Sequence, residues 1–343
     1  MPLSDNTRNT LIFSAQWLSG TDAFMIKTSG STGTPKPITI LRKQMEESAR
    51  ATGEALGLQV DQHALVCLPT RYIAGRMMLV RGFDLHLNLT VIEPTSDPFA
   101  QISEDAEFDF TALVPLQLQT LLDATPAYHE RLNRMNAILI GGGPISATLE
   151  SQLQFLTVPI YHTFSMTETV THIALRRLNG PTASDAFTPL PGVQLDVDGR
   201  GCLNVCSAAT LDQTIQTNDR VTLREDGTFV WLGRWDNVIN SGGIKVQVEK
   251  VEKALEKAML QLKLPMRRMF VGPIPDERFG EMVSLIVESL PFSPEEEKAI
   301  HSCLIESLDP YEIPRRFVNL PRFVETPTGK IDRQKNLALI NNG

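Results

Sequence analysis

The chain has 343 residues, 42% hydrophobic and 21% charged, enough to bury the cores of two or three domains of an ordinary globular protein. A formal charge of −8 offers no basic face to duplex nucleic acid, so small molecules are the expected partners. The opening MPLSDNTRNT lacks a signal-peptide layout, and no apolar run approaches the roughly 20 residues of a membrane span. Four cysteines, Cys67, Cys202, Cys206 and Cys303, are too sparse for a disulfide scaffold and fit a reducing cytoplasm.

From Asp22 to about Pro159, short apolar runs alternate with helical patterns. His63–Pro69, Asn88–Pro94, Phe110–Pro115 and Asn136–Gly142 read as buried strands, each closed by Gly or Pro. Leu41–Leu56 and Leu116–Leu122 read as helices between them. That rhythm predicts an α/β domain with a largely parallel sheet. From about Gly192 to Gly233 the pattern becomes antiparallel: Val193, Leu195 and Val197 alternate before a turn at Asp198–Gly201, and Asp226-Gly227 marks a second hairpin. Beyond Arg234, Val248, Val251, Leu255 and Met259 share a helix face, RRMFVGP and MVSLIVE read as strands, and Ser293, Pro294 and Glu296 open another helix. These residues predict a small α+β domain.

The loop TSGSTGTPKP combines turn-forming Gly30 and Gly33 with the hydroxyls of Thr28, Ser29, Ser31, Thr32 and Thr34 and the charge of Lys36. It is not a Walker loop, because its glycines are three apart and Pro35 precedes the lysine. By composition alone it is as consistent with a solvated connection as with a phosphate cradle.

TSGSTGTPKP resembles the phosphate loop of the adenylate-forming superfamily of acyl-CoA synthetases, peptide-synthetase adenylation domains and luciferases. Four further segments match in the family's order: GGGPIS (Gly141–Ser146), FSMTET (Phe164–Thr169), TNDRV with GRWDNVINSGG, and PTGKIDR (Pro327–Arg333). The resemblance implies a large N-terminal AMP-binding domain over residues 1–234, a mobile C-terminal domain over 236–343, and a hinge near 235–236. It also implies a reaction in which a carboxylate is joined to the α-phosphate of ATP with release of pyrophosphate, followed by thiol attack on the acyl-adenylate. ATP, Mg²⁺ and CoA are the implied small molecules, and a homodimer is left open.

By the same resemblance, Thr167 bonds the α-phosphate and Glu168 holds Mg²⁺, while Gly141, Gly142, Gly143, Phe164, Ser165 and Met166 line the nucleotide. Asp219 and Arg234 take the ribose or phosphate. Lys330 bridges the two reacting anions, Asp236 is the hinge, and Gly242 and Gly243 line the thiol channel. Each has a plainer reading: a turn cap for Thr167 and Glu168, a turn residue for Asp219, a surface ion pair for Arg234, a solvated lysine for Lys330. Ser165 stands where the motif has Gly, and only 27 residues precede Thr28, so the N-terminal subdomain is expected to be reduced relative to the family.

Short members of this kind resemble o-succinylbenzoate–CoA ligases of menaquinone biosynthesis. In LPTRYIAGRMMLVRGF, apolar Ile73, Met77, Met78 and Leu79 suit an aromatic ring, and Arg71, Arg76 or Arg81 suits a second carboxylate. His162 and His172 are further candidates for the acyl pocket. An adenylating enzyme for another acid, and a nucleotide-binding module without turnover, are the alternative readings.

Overall fold

The computed structural model describes residues 2–27, 37–326 and 331–341. Two units divide the chain: Met1–Asp198 with Leu203–Thr217 and Leu223–Val230, and Gly199–Cys202 with Asn218–Thr222 and Trp231–Gly343.

The first unit begins with α1 (Asp5–Leu18), whose N-cap Ser4 accepts from the Thr7 amide and which buries only Phe13 and Trp17. β1 (Ala23–Lys27) pairs antiparallel with β2 (Pro37–Leu41) in a register that sets Lys27 opposite Pro37. Next come α2 (Arg42–Leu56), β3 (His63–Val66), α3 (Ile73–Asp84), β4 (Asn88–Val91), β5 (Phe110–Leu113), α4 (Pro115–Asp123), α5 (Pro126–Asn133), β6 (Ala137–Ile140), α6 (Ala147–Gln152), β7 (Ile160–Ser165), β8 (His172–Arg177) and β9 (Thr188–Pro189). The seven strands order as β4-β3-β5-β6-β7-β8-β9. The pairings from β4 through to β7 are parallel, and β8 and β9 add antiparallel.

Because successive strand residues face opposite ways, the two faces build separate cores. Ala64, Val66, Phe110, Ala137 and Leu139 pack with Met77, Met78 and Met45 on one side. Leu65, Cys67, Leu113, Ile138 and Ile140 pack with Leu118, Leu121 and Leu149 on the other. The predicted strands and the α/β class are therefore found, with helices on both faces of a mostly parallel sheet. β10 (Gln194–Val197) and β11 (Cys202–Cys206) form the expected antiparallel hairpin around Asp198–Gly201. The Asp226-Gly227 turn is present too, with Gly227 at φ 79°.

β12 (Ile215–Leu223) and β13 (Phe229–Arg234) contribute residues to both units. The second unit then runs through β14 (Val238–Ser241), β15 (Ile244–Gln247), α7 (Val248–Gln261), β16 (Met269–Asp276), β17 (Gly280–Glu288), α8 (Pro294–Ile305), β18 (Arg316–Leu320) and α9 (Arg333–Asn341). Val251, Leu255 and Met259 of α7 lie in one core with Val271, Val283 and Leu285, as their spacing predicts. Ser293 and Glu296 close the predicted capping box on α8. Phe270, Ile286 and Phe323 form a smaller core against α9. No helix among the described residues is long and apolar enough to cross a membrane.

Candidate active site

In the first unit, the site elements gather at the C-terminal ends of β6 and β7. β6 ends at Ile140, and a Cβ on Gly141 would stand 2.7 Å from Thr163 Oγ1, so the close approach of the two strand ends demands glycine there. Gly142 follows at φ 83°. On β7, Phe164 packs edge-on against Phe187 and Phe229, its centroid 5.6 and 5.1 Å from theirs. The register slips between Phe164 and Ser165, a bulge of the kind that re-aims side chains beside functional sites. Ser165 is absent from the positive-φ residues, so a Cβ costs nothing at a position where the family motif carries glycine. Met166 N-caps the short 3₁₀ turn Thr167–Thr169, in which Thr167 is half-buried and Glu168 exposed.

The turn ends in strain. Val170 adopts φ 68° and ψ −63°, and the Thr171 amide donates to the Thr169 carbonyl across it at 2.8 Å, a γ-turn geometry unfavourable for a β-branched residue. Val170 is buried against the α2–α3 face of the sheet, which holds the turn in place.

α3 carries two of the three candidate arginines, and the structure separates all three. Arg71 lies before the helix, exposed, with its guanidinium 4.8 Å from the Tyr72 ring. Arg76 donates from Nε to the Thr70 carbonyl at 3.1 Å and from Nη1 to the Met25 carbonyl at 3.3 Å. Arg81 is buried, with Nη1 3.7 Å from Met78 Sδ, Nη2 donating to Thr171 Oγ1 at 3.3 Å, and Nε without a partner among the described residues. Burial pulls its guanidinium down to about 10. A buried cation with no counter-ion costs several kcal/mol unless something compensates it.

Both candidate histidines are held uncharged by their surroundings, His172 buried and His162 half-buried. The Gly143 carbonyl can only accept, so His162 donates to it from Nε2 at 3.3 Å, leaving a bare Nδ1 with no partner among the described residues. Burial first, and Arg176 second, pull His162 down to about 4. His172 is held well below the ordinary range by burial and by Arg81. Each is neutral in the fold and gains a proton on unfolding near pH 6.5, so its contribution is complete above that pH and is lost as pH falls through its lowered folded value, about 4 for His162. Urea unfolding is expected to show stability falling between pH 6.5 and 4.5 by up to about 1.4 kcal/mol per pH unit per histidine. A His162→Gln variant is expected to flatten that slope; an unchanged slope would show that the fold does not lower the His162 pKa.

In the second unit, Asp219 Oδ1 accepts from Trp231 Nε1 at 2.9 Å. Burial raises its carboxyl above the usual range, opposed by the indole bond and by Arg234. Arg234 and Asp236 form a fork, Nε to Oδ1 at 2.8 Å and Nη2 to Oδ2 at 2.7 Å, which holds the Asp236 carboxyl low. Asn218 Nδ2 donates to Asp236 Oδ2 at 3.3 Å. Gln247 Nε2 donates to the Arg234 carbonyl at 3.0 Å, and Asn237 Nδ2 to Glu249 Oε1 at 2.7 Å, so the segment around Arg234 is tied to the start of α7. Gly242 and Gly243 are the two-residue turn between β14 and β15, at φ 60° and 84°, the positive values that a type I′ hairpin requires.

Thr28–Lys36 and Lys330 lie outside the described residues. No cluster of three metal-ligating side chains occurs among the described residues. A lone exposed carboxylate such as Glu168 nevertheless fits Mg²⁺, which takes one or two protein ligands and completes its shell with water and phosphate. Sequence reasoning missed Trp231 and Thr171, although both adjoin quoted motifs.

The sequence profile described as AMP-binding enzyme matches residues 6–203, and the chain belongs to that family. It is 26% identical over 331 residues to the 2-succinylbenzoate–CoA ligase of Lactococcus lactis, covering 91% of this chain and 70% of that one. It is 39% identical to an acyl-CoA synthetase (AMP-forming)/AMP-acid ligase II-like protein from Dyadobacter fermentans, with a TM-score of 0.66 over 99% of this chain and 95% of the other. The fold also matches the o-succinylbenzoate coenzyme A synthetase of Bacillus subtilis in complex with ATP and magnesium ion, at 20% identity and a TM-score of 0.75, covering 91% and 69%.

Proposed function

We propose that the protein is an acid–thiol ligase that adenylates o-succinylbenzoate with ATP and passes the acyl group to CoA. One observation supports this substrate over a monocarboxylate: Arg81 is a buried guanidinium whose Nε has no partner among the described residues. A second carboxylate on the acid would supply the missing counter-charge through a charge-assisted hydrogen bond. Met77, Met78 and Leu79 beside it on α3 are fully buried and apolar, so the surroundings favour an aromatic skeleton over a polar one.

In this reading Thr167 bonds the α-phosphate. Glu168 holds Mg²⁺, which offsets phosphate charge when bound. Asp219 accepts from the ribose hydroxyls and Arg234 bonds ribose or phosphate. Asp236 is the hinge between an N-terminal domain over 1–234 and a C-terminal domain over 236–343, and Gly242 and Gly243 border the thiol channel. The enzyme acts in menaquinone biosynthesis in the cytoplasm. The direct test incubates the protein with ATP, Mg²⁺ and a panel of carboxylic acids, and measures pyrophosphate release with and without CoA. Release selective for o-succinylbenzoate is expected; release only with other acids would sink the proposal.

A further inference from the structure

The hydrogen bonds around Arg81 have one consistent direction. Thr52 Oγ1 spends its single proton on the Ser48 carbonyl at 2.8 Å, so it accepts from His172 Nε2 at 3.1 Å. His172 is therefore the Nε2–H tautomer, and its bare Nδ1 accepts the Thr171 hydroxyl proton at 3.0 Å. With that proton fixed, a lone pair of Thr171 Oγ1 faces Arg81 Nη2 at 3.3 Å. Thr52, Thr171, His172 and Arg81 are all buried. Water cannot stand in for a lost partner in such a chain at low cost, and its orientation is set end to end.

We infer that Thr171 and His172 are positioning residues for Arg81, fixing its Nη2 edge so that Nε–H is left for the second carboxylate of the acid. The inference rests on the reading of Arg81 given above. His172 thereby influences acid selection without touching the acid, since both ring nitrogens are engaged inside the protein. Its neutrality is part of the device. A proton on Nδ1 would displace the Thr171 hydroxyl hydrogen and set a second positive charge near a guanidinium that has no ion pair among the described residues. The strained turn at Val170 carries the chain from the Thr167–Thr169 turn directly into Thr171, so the relay is continuous in sequence with the phosphate-side motif.

The test compares kcat/KM for o-succinylbenzoate with that for 4-oxo-4-phenylbutanoate, the same skeleton without the ring carboxylate. In Thr171→Val the ratio of the two is expected to fall about tenfold, the effect of losing one hydrogen bond to a charged group. Thr171→Ser, which keeps the hydroxyl, is expected to restore it. His172→Leu provides a second variant should Thr171→Val fold poorly, with thermal unfolding run on each. Arg81→Gln is measured alongside. A selective loss in Arg81→Gln with equal losses on both acids in the Thr171 and His172 variants overturns the positioning role. No selective loss in Arg81→Gln overturns the reading of Arg81 itself, and the inference with it. In the unaltered protein, imidazole ¹⁵N shifts are expected to show a protonated Nε2 and bare Nδ1 for His172; the opposite tautomer would break the chain of donors.

Discussion

Replacing Lys330 by alanine is expected to slow adenylate formation roughly 10²–10³-fold, the effect of removing one electrostatic donor from a reacting centre. The carboxylate and the α-phosphate are both anions, and in the proposed role the Lys330 ammonium offsets the repulsion that grows as they approach. Thioester formation from supplied acyl-adenylate is expected to survive largely intact, because the proposed hinge motion withdraws the lysine before the second step. Single-turnover assays of each half-reaction decide the matter, and equal losses in both would count against separate catalytic conformations. Lys330 lies outside the described residues, but the chain on either side of it is firmly anchored. Glu325 bridges to Ile331, and the Asp332 amide donates to the Val324 carbonyl at 2.9 Å. Fully buried Asn336 accepts from the Val324 amide at 2.9 Å and donates to the carbonyls of Val324 and Asp332 at 2.9 and 2.8 Å. Arg333 pairs with Glu252 at 2.9 Å.

Gly75→Ala is expected to destabilise the first unit by about 1–3 kcal/mol, lowering Tm by roughly 2–12 °C. A Cβ there would lie 2.5 Å from the Pro69 carbonyl oxygen and 2.7 Å from that of Leu68. These are backbone atoms, which cannot rotate aside, so the helix itself must shift. Helix propensity works the other way, favouring alanine by about 1 kcal/mol, and the clash outweighs it. Gly199→Ala, where no atom lies within 4 Å of the added carbon, serves as the control and is expected to leave Tm within a degree or two. Calorimetry checks both. Because α3 carries Arg81, the Gly75 variant should also bind the acid more weakly; a stable variant of unchanged affinity would mean that the helix absorbs the methyl elsewhere.

Much of the fold was legible because its signals are local. The strands β3, β4, β5 and β6 are short apolar runs closed by Gly or Pro, and α7 displays its buried face in the spacing of Val251, Leu255 and Met259. α1 was not legible: its opening is polar, and its burial rests on two aromatic residues whose partners lie elsewhere in the chain. Motifs gave the positions of Gly141–Gly143 and Phe164–Glu168, but spacing could not rank Arg71, Arg76 and Arg81. Residues five apart on a helix point about 140° from each other, so Arg76 and Arg81 cannot share a role, yet which one faces inward depends on tertiary packing. The part played by Thr171 was hidden for a related reason. A lone threonine carries no pattern, and its partner Arg81 is 90 positions away in the chain.

The indole of Trp231 gives Asp219 a further use. The chain has three tryptophans, and the ring nitrogen of Trp231 donates to the carboxylate proposed to receive the ribose hydroxyls. A nucleotide that draws on the same oxygen competes with the indole, and indole emission is sensitive to the loss of such a bond. On the proposed placement of the ribose at Asp219, Trp231 emission is expected to change when ATP binds, readable without label or coupling enzyme. A fluorescence titration with ATP before any acid is added tests that placement, and unchanged emission at saturation would count against it.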